Sequence, residues 1–331
     1  MVVVAVAGGL GDVGRTIVEE IHRSQRHQVY VLTRQKAPGS PSRNVPECFP
    51  SVLEVDYSSR TALSEVLAKY NVDTVISTLN LHWPGADDAQ LNLIQAAAEC
   101  GTVTRFLPSE FNIDYNAPEE DMPYPPRVKY LQAVEELRRN TTLTFTLVRN
   151  GFFMDYLGLP FAETHLHPLY CILDISAGKA VIPGDGNCHV VFTHTRDVAK
   201  FVNELLDLPA HQWPKESAII GERITLNELV EAAERCTGRR FHKTHDEVSA
   251  IRKGATTELP SNNPCYSYFP GGKEELDGIC CTQMIGMVAG VFDIKGTELN
   301  KLFPHVQTIR LEHFLRTCWE KAGENNVHRA E

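Results

Sequence analysis

A glycine-rich turn near the start of the chain could bind phosphate. It follows the apolar run Val2–Ala7 and comprises Gly8, Gly11, Asp12, Val13 and Gly14. Glycines at this spacing permit a tight turn, a close backbone approach to a pyrophosphate and close helix packing. The N–H groups and the dipole at the start of the following helix attract an anion. The pattern predicts a dinucleotide phosphate site, and the alternative is an ordinary β–α turn.

The residues after the second predicted strand indicate which dinucleotide is bound. An Asp or Glu about 20 residues after the glycine turn would hold the 2′-hydroxyl of NAD. The sequence has Thr33-Arg34-Gln35-Lys36 there instead. Arg34 can clamp a 2′-phosphate with two hydrogen bonds, and Lys36 adds a second positive charge. NADPH/NADP+ is therefore favoured, and the alternative is a solvated basic turn.

Two further segments follow predicted strands, with the sequences STLN (77–80) and RFLPSEF (105–111). In a doubly wound sheet, the carboxyl ends of the strands form the cofactor crevice. We therefore expect a group of residues near the nicotinamide: Thr78, Leu79, Asn80, Pro108, Ser109 and Phe111.

Lys129 is the candidate for proton transfer. No tyrosine lies four residues before it, and Tyr124 is separated from it by Pro125 and Pro126, so the two cannot share a helical face. Lys129 falls in the first turn of a predicted helix, where the helix dipole and partial burial would lower its pKa toward a working range. It could then act as a general acid or base. The alternative is a surface lysine on an amphipathic helix.

Short β-rich runs alternate with helical stretches through the first half of the chain. Strands are predicted at Val2–Ala7, Val29–Thr33, Val52–Val55, Thr74–Ser77, Val103–Leu107 and Leu143–Val148. This alternation is typical of an α/β fold with a doubly wound parallel (Rossmann) sheet. We assign residues 1–154 to an NADP-binding domain and 155–331 mainly to a smaller α/β substrate-binding part. Some segments, about 188–220, are expected to return to the first domain.

Helix-end signals are clearer in the second half. Thr225, with Glu228 three residues later, has the pattern of a capping box, and Gly238 is expected to end that helix. Asp197 is expected to cap the helix that starts near Arg196.

Composition excludes several classes of protein. The net charge of −10 over 331 residues argues against nucleic-acid binding, and no apolar run is long enough for a membrane span. The nine cysteines form no CxxC pair, which indicates reduced thiols in a cytoplasmic protein. No metal site is predicted, because His165 and His167 have too few companions. A homodimer is compatible with the sequence.

The chain resembles the isoflavone reductase-like branch of the NmrA-like family, whose members are atypical short-chain dehydrogenases. The resemblance rests on the motifs GGLGDVGR, VLTRQK and RFLPSEF, followed by Lys129. The resemblance continues through TLVRNGFFMDY, GDGNCHVVFTHTRDVAKF, ITLNELVEAAERCTGRRF and LFPHVQTIRLEHFL, essentially the whole chain. The resemblance implies NADPH-dependent reduction of small phenolic or polyketide-like molecules. It also implies that Lys129 is the general acid/base and that Arg34, with Lys36, binds the 2′-phosphate. It also places three residues beside the nicotinamide: Asn150, Gly151 and Phe152.

The sequence departs from the family pattern at Leu10, often threonine, and at Asn112, usually glycine. The segment 254–278 matches nothing in the pattern. An aromatic-rich substrate wall is nevertheless expected, because such walls suit flat apolar ligands. Its candidates are His82, Trp83, Phe153, Met154, Tyr156 and His189. For each of them the alternative is core packing or simple exposure.

Together these features predict an NADPH-dependent oxidoreductase acting on a small aromatic or polyketide-like secondary metabolite. Hydride would come from NADPH, and Lys129 would transfer the proton. Two alternatives stay open: a non-redox isomerase, epimerase or dehydratase on the same fold, and an NADP(H)-sensing regulatory protein without turnover. Stoichiometric consumption of NADPH distinguishes a reductase from both.

Overall fold

The computed structural model describes residues 1–34, 49–123 and 127–327. The strands are β1 (Val3–Ala7), β2 (Gln28–Arg34), β3 (Val52–Val55), β4 (Thr74–Ser77), β5 (Arg105–Leu107), β6 (Thr144–Phe145), β7 (Leu147–Arg149), β8 (Phe152–Phe153), β9 (Leu173–Asp174), β10 (Lys179–Pro183), β11 (His189–Thr193), β12 (Glu216–Ala218), β13 (Glu222–Thr225), β14 (His242–Asp246) and β15 (Thr297–Glu298). The α-helices are α1 (Asp12–Ser24), α2 (Arg60–Lys69), α3 (Ala86–Glu99), α4 (Arg127–Arg139), α5 (Thr195–Asp207), α6 (Leu226–Thr237), α7 (Val248–Ile251), α8 (Gly272–Val288), α9 (Leu299–Leu302) and α10 (Leu311–Val327).

The main sheet is parallel and has six strands in the order β3-β2-β1-β4-β5-β6. The order reverses at β1, so the crevice between the carboxyl ends of β1 and β4 is the position where doubly wound folds bind ligands. The predicted parallel, doubly wound sheet is confirmed.

The side chains of β1 point alternately to the two faces of this sheet. Val4 and Val6 pack in one core cluster with Ile17 of α1 and Phe201 of α5. Ala5 and Ala7 point to the opposite cluster, which contains residues of α2, α3 and α4. Successive side chains of a strand point to opposite faces, so a fully apolar strand requires helices on both sides. This is why the uninterrupted apolar run at the start of the chain forms a central strand.

The second half of the chain contributes three small sheets, with strand orders β14-β10-β9, β13-β11-β8 and β15-β12-β7. Its largest core cluster includes residues of α6, α8 and α10 and also Leu81, Ile113 and Tyr130 from the first half. The two halves therefore share apolar core along the cavity described below. α5, in contrast, packs against α1 on the main sheet.

Two predicted helix ends are confirmed and one is wrong. Thr225 and Glu228 form a capping box at the start of α6, and Gly238 ends that helix in the left-handed conformation. Asp197, however, is not the cap of α5. His194 caps it by accepting a hydrogen bond from Arg196 N, and Asp197 is fully buried, where it accepts a bond of 2.7 Å from Ile309 N.

The sixth predicted strand is also interrupted. Its first half, β6, joins the main sheet, whereas its second half, β7, pairs with β12 in a different sheet. The break falls at Thr146, whose hydroxyl lies 2.7 Å from that of Ser217, the residue after Glu216 in β12.

Two observations concern the chain as a whole. Among the helices that the structure describes, none combines the length and the apolar character needed to cross a membrane. The cysteines within the described ranges are free thiols, and the buried pair Cys171 and Cys280 has an Sγ–Sγ distance of 3.0 Å.

Candidate functional site

A cavity of about 680 Å³ lies along the carboxyl ends of the main-sheet strands. It begins at the turn after β1, continues past the ends of β2 and β4, and finishes against residues of the second half. Both halves of the chain line it. Its size and its position at the switch point of the sheet are those of a site for a small ligand or a cofactor.

The glycine turn forms the part of the cavity nearest α1. Gly8 has φ +77°, and a Cβ there would lie 2.8 Å from the backbone oxygen of Thr78. A Cβ on Gly14 would lie 2.3 Å from Thr78 Oγ1, so the turn must be free of side chains at both positions. Gly11 is the N-cap of α1, and no described side chain caps this helix end. The turn and the uncapped helix therefore fit a phosphate group.

Four of the five predicted turn residues line the cavity: Gly8, Gly11, Asp12 and Val13. Gly14 does not line it, because it faces Thr78 and allows α1 to approach the segment after β4. Thr78 lines the cavity and fixes the same junction, since its hydroxyl donates to Ala7 O at 2.8 Å.

The end of β2 forms a second part of the cavity. Thr33 and Arg34 line it together with Tyr57, whose hydroxyl donates to Leu32 O. Arg34 is exposed at this edge and therefore accessible to a ligand. Lys36, the second predicted cation, lies outside the described residues.

A third part of the cavity follows β4 and β5. Its predicted members are Leu79, Asn80, Ser109 and Phe111, and all of them line it. Ser109 is held in place from both sides: its N–H donates to Oε1 of the buried Gln90, and its hydroxyl donates to Leu79 O, each at 2.9 Å. Pro108 does not line the cavity, although its carbonyl accepts the bond from Glu110 N that shapes this turn.

The segment Asn150–Phe152 supplies one wall. Asn150 and Gly151 do not line the cavity; their backbone N–H groups both donate to Asn112 O. Gly151 has φ +69°, and a Cβ there would lie 2.2 Å from Val191 O. This turn directs Phe152 and Phe153 to the cavity, where both are lining residues.

Lys129 lies in the first turn of α4, as predicted, but it does not line the cavity. Its Nζ is 3.2 Å from Asp87 Oδ1 in the first turn of α3, and both side chains are partly exposed. The next residue, Tyr130, does line the cavity. Lys129 is thus ion-paired next to the cavity-lining Tyr130, and its role in proton transfer stays a prediction.

One of the two histidines of the predicted substrate wall, His82, is affected by the charge of Lys129. His82 lines the cavity with Trp83. Burial lowers the pKa of His82, the carboxylate of Glu275 works in the opposite direction, and the positive charge of Lys129 lowers it further. The charge of Lys129 therefore reaches a group inside the cavity.

The remaining substrate-wall candidates divide into one that lines the cavity and two that do not. Tyr156 lines it, and burial together with the charge of Asp12 raises the pKa of its hydroxyl, which stays protonated as a donor. Met154 is fully buried in the core, and His189 is exposed at the start of β11, away from the cavity. The position of His189 could not be read from sequence, because either end of a strand can carry a histidine.

Residues 2–264 match the NmrA-like family. The chain belongs to this family. It is 36% identical to the oxidoreductase swnN of Metarhizium robertsii, with 96% of this chain and 98% of that protein covered. The predicted resemblance is confirmed.

Solved structures of this group share the fold. AtPrR2 with NADP+ and (+)pinoresinol has a TM-score of 0.70 and 24% identity, covering 95% of this chain and 98% of that one. Isoflavone reductase has a TM-score of 0.69 and 20% identity, with 95% and 98% covered. At these identities the likeness establishes the architecture.

Sequence reasoning missed one wall of the cavity. The segment that matches no family pattern contributes four lining residues: Tyr268, Phe269, Pro270 and Glu275. Ile279 and Gln283, which follow this segment in α8, also line the cavity. A second missed feature is the stack of Tyr115 on Tyr130, with ring centroids 3.9 Å apart. The density of aromatic residues in SNNPCYSYFPGG was the available signal, since aromatic side chains are typical of ligand walls.

Glu110 gives a prediction about stability. It lies between two cavity-lining residues, is 3% exposed, and burial raises the pKa of its carboxyl to about 8. The folded protein therefore keeps a proton that the unfolded chain releases, and this contribution to stability is lost as the pH rises from about 4.5 to about 8. We expect Glu110→Gln to stabilise the protein by up to a few kcal/mol at pH 8 and hardly at all at acidic pH.

Thermal unfolding between these two pH limits measures this difference. The exposed Glu274→Gln is the matched control, and its effect should not change with pH. An effect of Glu110→Gln that is equally large at both ends of the range would contradict ionisation as the cause.

Proposed function

We propose that the protein is an NADPH-dependent reductase of a small aromatic or polyketide-like molecule. The observation that carries the proposal is the single continuous cavity. It joins the uncapped start of α1 and Arg34 to an aromatic region with Phe152, Tyr130 and Tyr268. A dinucleotide extended along the strand ends would have its phosphates at one part and its nicotinamide at the other.

The relatives support this activity. The oxidoreductase swnN covers nearly the whole chain at 36% identity, and AtPrR2 has the same fold in complex with NADP+ and (+)pinoresinol. When bound, NADPH supplies the hydride. The aromatic side chains hold a flat substrate against the nicotinamide region, and Ser109 and Asn80 offer polar contacts in the same region.

We assign proton transfer to Lys129. It would act either by swinging from Asp87 toward the cavity or through a group on the wall between them. Asp87 holds the amine at 3.2 Å, and the charge of Lys129 lowers the pKa of His82, which lines the cavity. Residues 1–154 would bind mainly the cofactor, and residues 155–331 would bind mainly the substrate.

The experiment that tests the cofactor assignment is calorimetric titration of NADPH and NADH into wild type and Arg34→Ala. Arg34 would form charge-assisted hydrogen bonds with the 2′-phosphate, so the variant should bind NADPH roughly 10- to 100-fold more weakly. NADH binding should be unchanged. Equal affinity of wild type for the two cofactors would overturn the assignment of Arg34.

Turnover is tested next by NADPH absorbance with a panel of conjugated aromatic ketones and quinone methides. One NADPH consumed per product formed supports the reductase. Product formed without consumption would indicate a non-redox reaction, and cofactor binding with no product from any compound would favour a sensor.

A further inference from the structure

Two histidines outside the main sheet contact the helix at the phosphate end of the cavity. His167 Nδ1 lies 2.7 Å from Asp12 Oδ1, in the first turn of α1. His165 Nε2 lies 2.9 Å from Glu19 Oε2, two turns further along the same helix. The two histidines belong to the segment 163–169, which we call the strap.

The strap is fixed at both sides of this contact. Thr164 Oγ1 donates to the buried Asp155, which also accepts from Thr195 at the start of α5. Leu166 and Leu169 are buried and line the cavity. The positions of the two histidines are therefore set by the fold and not by the ion pairs alone.

The two histidines differ in what else they face. His167 lines the cavity, and its ring packs edge-on against Tyr268, with centroids 5.5 Å apart. His165 does not line the cavity, and its partner Glu19 also pairs with Arg15 at 2.9 Å. Although burial works in the opposite direction, the hydrogen bonds from His165 and Arg15 lower the pKa of Glu19.

Asp12 creates an electrostatic conflict at this end of the cavity. A carboxylate in the first turn suits the helix dipole, but it would repel a diphosphate bound at the same N–H groups. His167 contacts Asp12, and the charge of Asp12 also raises the pKa of the Tyr156 hydroxyl. A protonated His167 offsets the carboxylate beside the bound anion.

We propose that His167 is a positioning residue for the cofactor diphosphate, which in its protonated form neutralises Asp12 and makes cofactor binding depend on pH. This inference rests on the NADPH binding proposed above. Histidine changes its charge between about pH 5 and 8, so affinity should be highest in the acidic part of this range. Without a positive charge at His167, Asp12 would be uncompensated and would repel the bound diphosphate, so the cofactor would bind more weakly.

The test is the Kd of NADPH from about pH 5.5 to 8.5 for wild type, His167→Gln and His165→Gln. The ratio of each variant's Kd to that of wild type removes the titration of the cofactor's own phosphates. For His167→Gln we expect this ratio to be roughly tenfold at the acidic end and near one at the alkaline end. For His165→Gln, the matched control, it should stay near one throughout.

A second variant separates charge from shape. Asp12→Asn in the His167→Gln background removes the uncompensated carboxylate and should return the acidic Kd to within a few-fold of wild type. A His167→Gln ratio that does not change with pH, or a His165→Gln ratio with the same pH dependence, would overturn the inference. Failure of wild type to bind NADPH at any pH would instead overturn the proposed function.

Discussion

Replacement of Lys129 by methionine is expected to lower kcat by about 10²–10⁴-fold, the usual contribution of a positioned acid or base. The affinity for NADPH should change little, because Lys129 does not line the cavity. Stability should fall by about 1 kcal/mol at most, since the pair with Asp87 is partly exposed. Steady-state turnover on a substrate from the panel above, with calorimetry of NADPH, measures both quantities.

Two variants complete this test. Lys301→Met removes another lysine that is ion-paired at the surface, with Glu298, and should leave kcat unchanged. Asp87→Asn removes the ion-pair partner but keeps the amine of Lys129. If Lys129 transfers the proton, kcat should fall less in Asp87→Asn than in Lys129→Met. Undiminished turnover in Lys129→Met would exclude the lysine from the chemistry. Equal losses in Lys129→Met and Asp87→Asn would make the ion pair itself the important feature.

Among the variants described here, Gly151→Ala is expected to lower the free energy of unfolding the most. A left-handed backbone costs a residue with a Cβ about 1–2 kcal/mol. The new Cβ would also lie 2.2 Å from the backbone oxygen of Val191, a contact that only a shift of β11 or of the turn can relieve. Such overpacking adds about 1–3 kcal/mol. Because the turn directs Phe152 to the cavity, NADPH should also bind more weakly.

Gly101→Ala is a matched control for the backbone effect. Gly101 has φ +76°, close to that of Gly151, but a Cβ there meets no atom within 4 Å. Chemical denaturation should therefore show only the loss of about 1–2 kcal/mol for Gly101→Ala. Equal losses in the two variants would show that the contact with Val191 is relieved without cost.

Local patterns were sufficient for the sheet and for the glycine turn after β1. The apolar run of β1 and the regular β–α alternation determine a buried parallel sheet, because a strand covered on both faces must be apolar throughout. The glycine spacing after β1 determines the turn, because a side chain at Gly8 or Gly14 would collide with Thr78. The capping box of α6 was readable for the same reason: all of its contacts lie within four residues.

Contacts between distant segments were decided only by the tertiary structure. Sequence placed Lys129 in a first helical turn, but its pairing with Asp87 depends on how α3 and α4 pack. Likewise, Tyr268 and Glu275 reach the cavity because α8 packs in one core cluster with Leu81 and Ile113 of the first half. Sequence patterns predicted the sheet, which the structure confirms, and a set of dinucleotide-binding residues, which stays a prediction. Which side chains of the second half face the cavity depends on contacts more than a hundred residues apart, such as His167 with Asp12, and local sequence patterns do not specify such contacts.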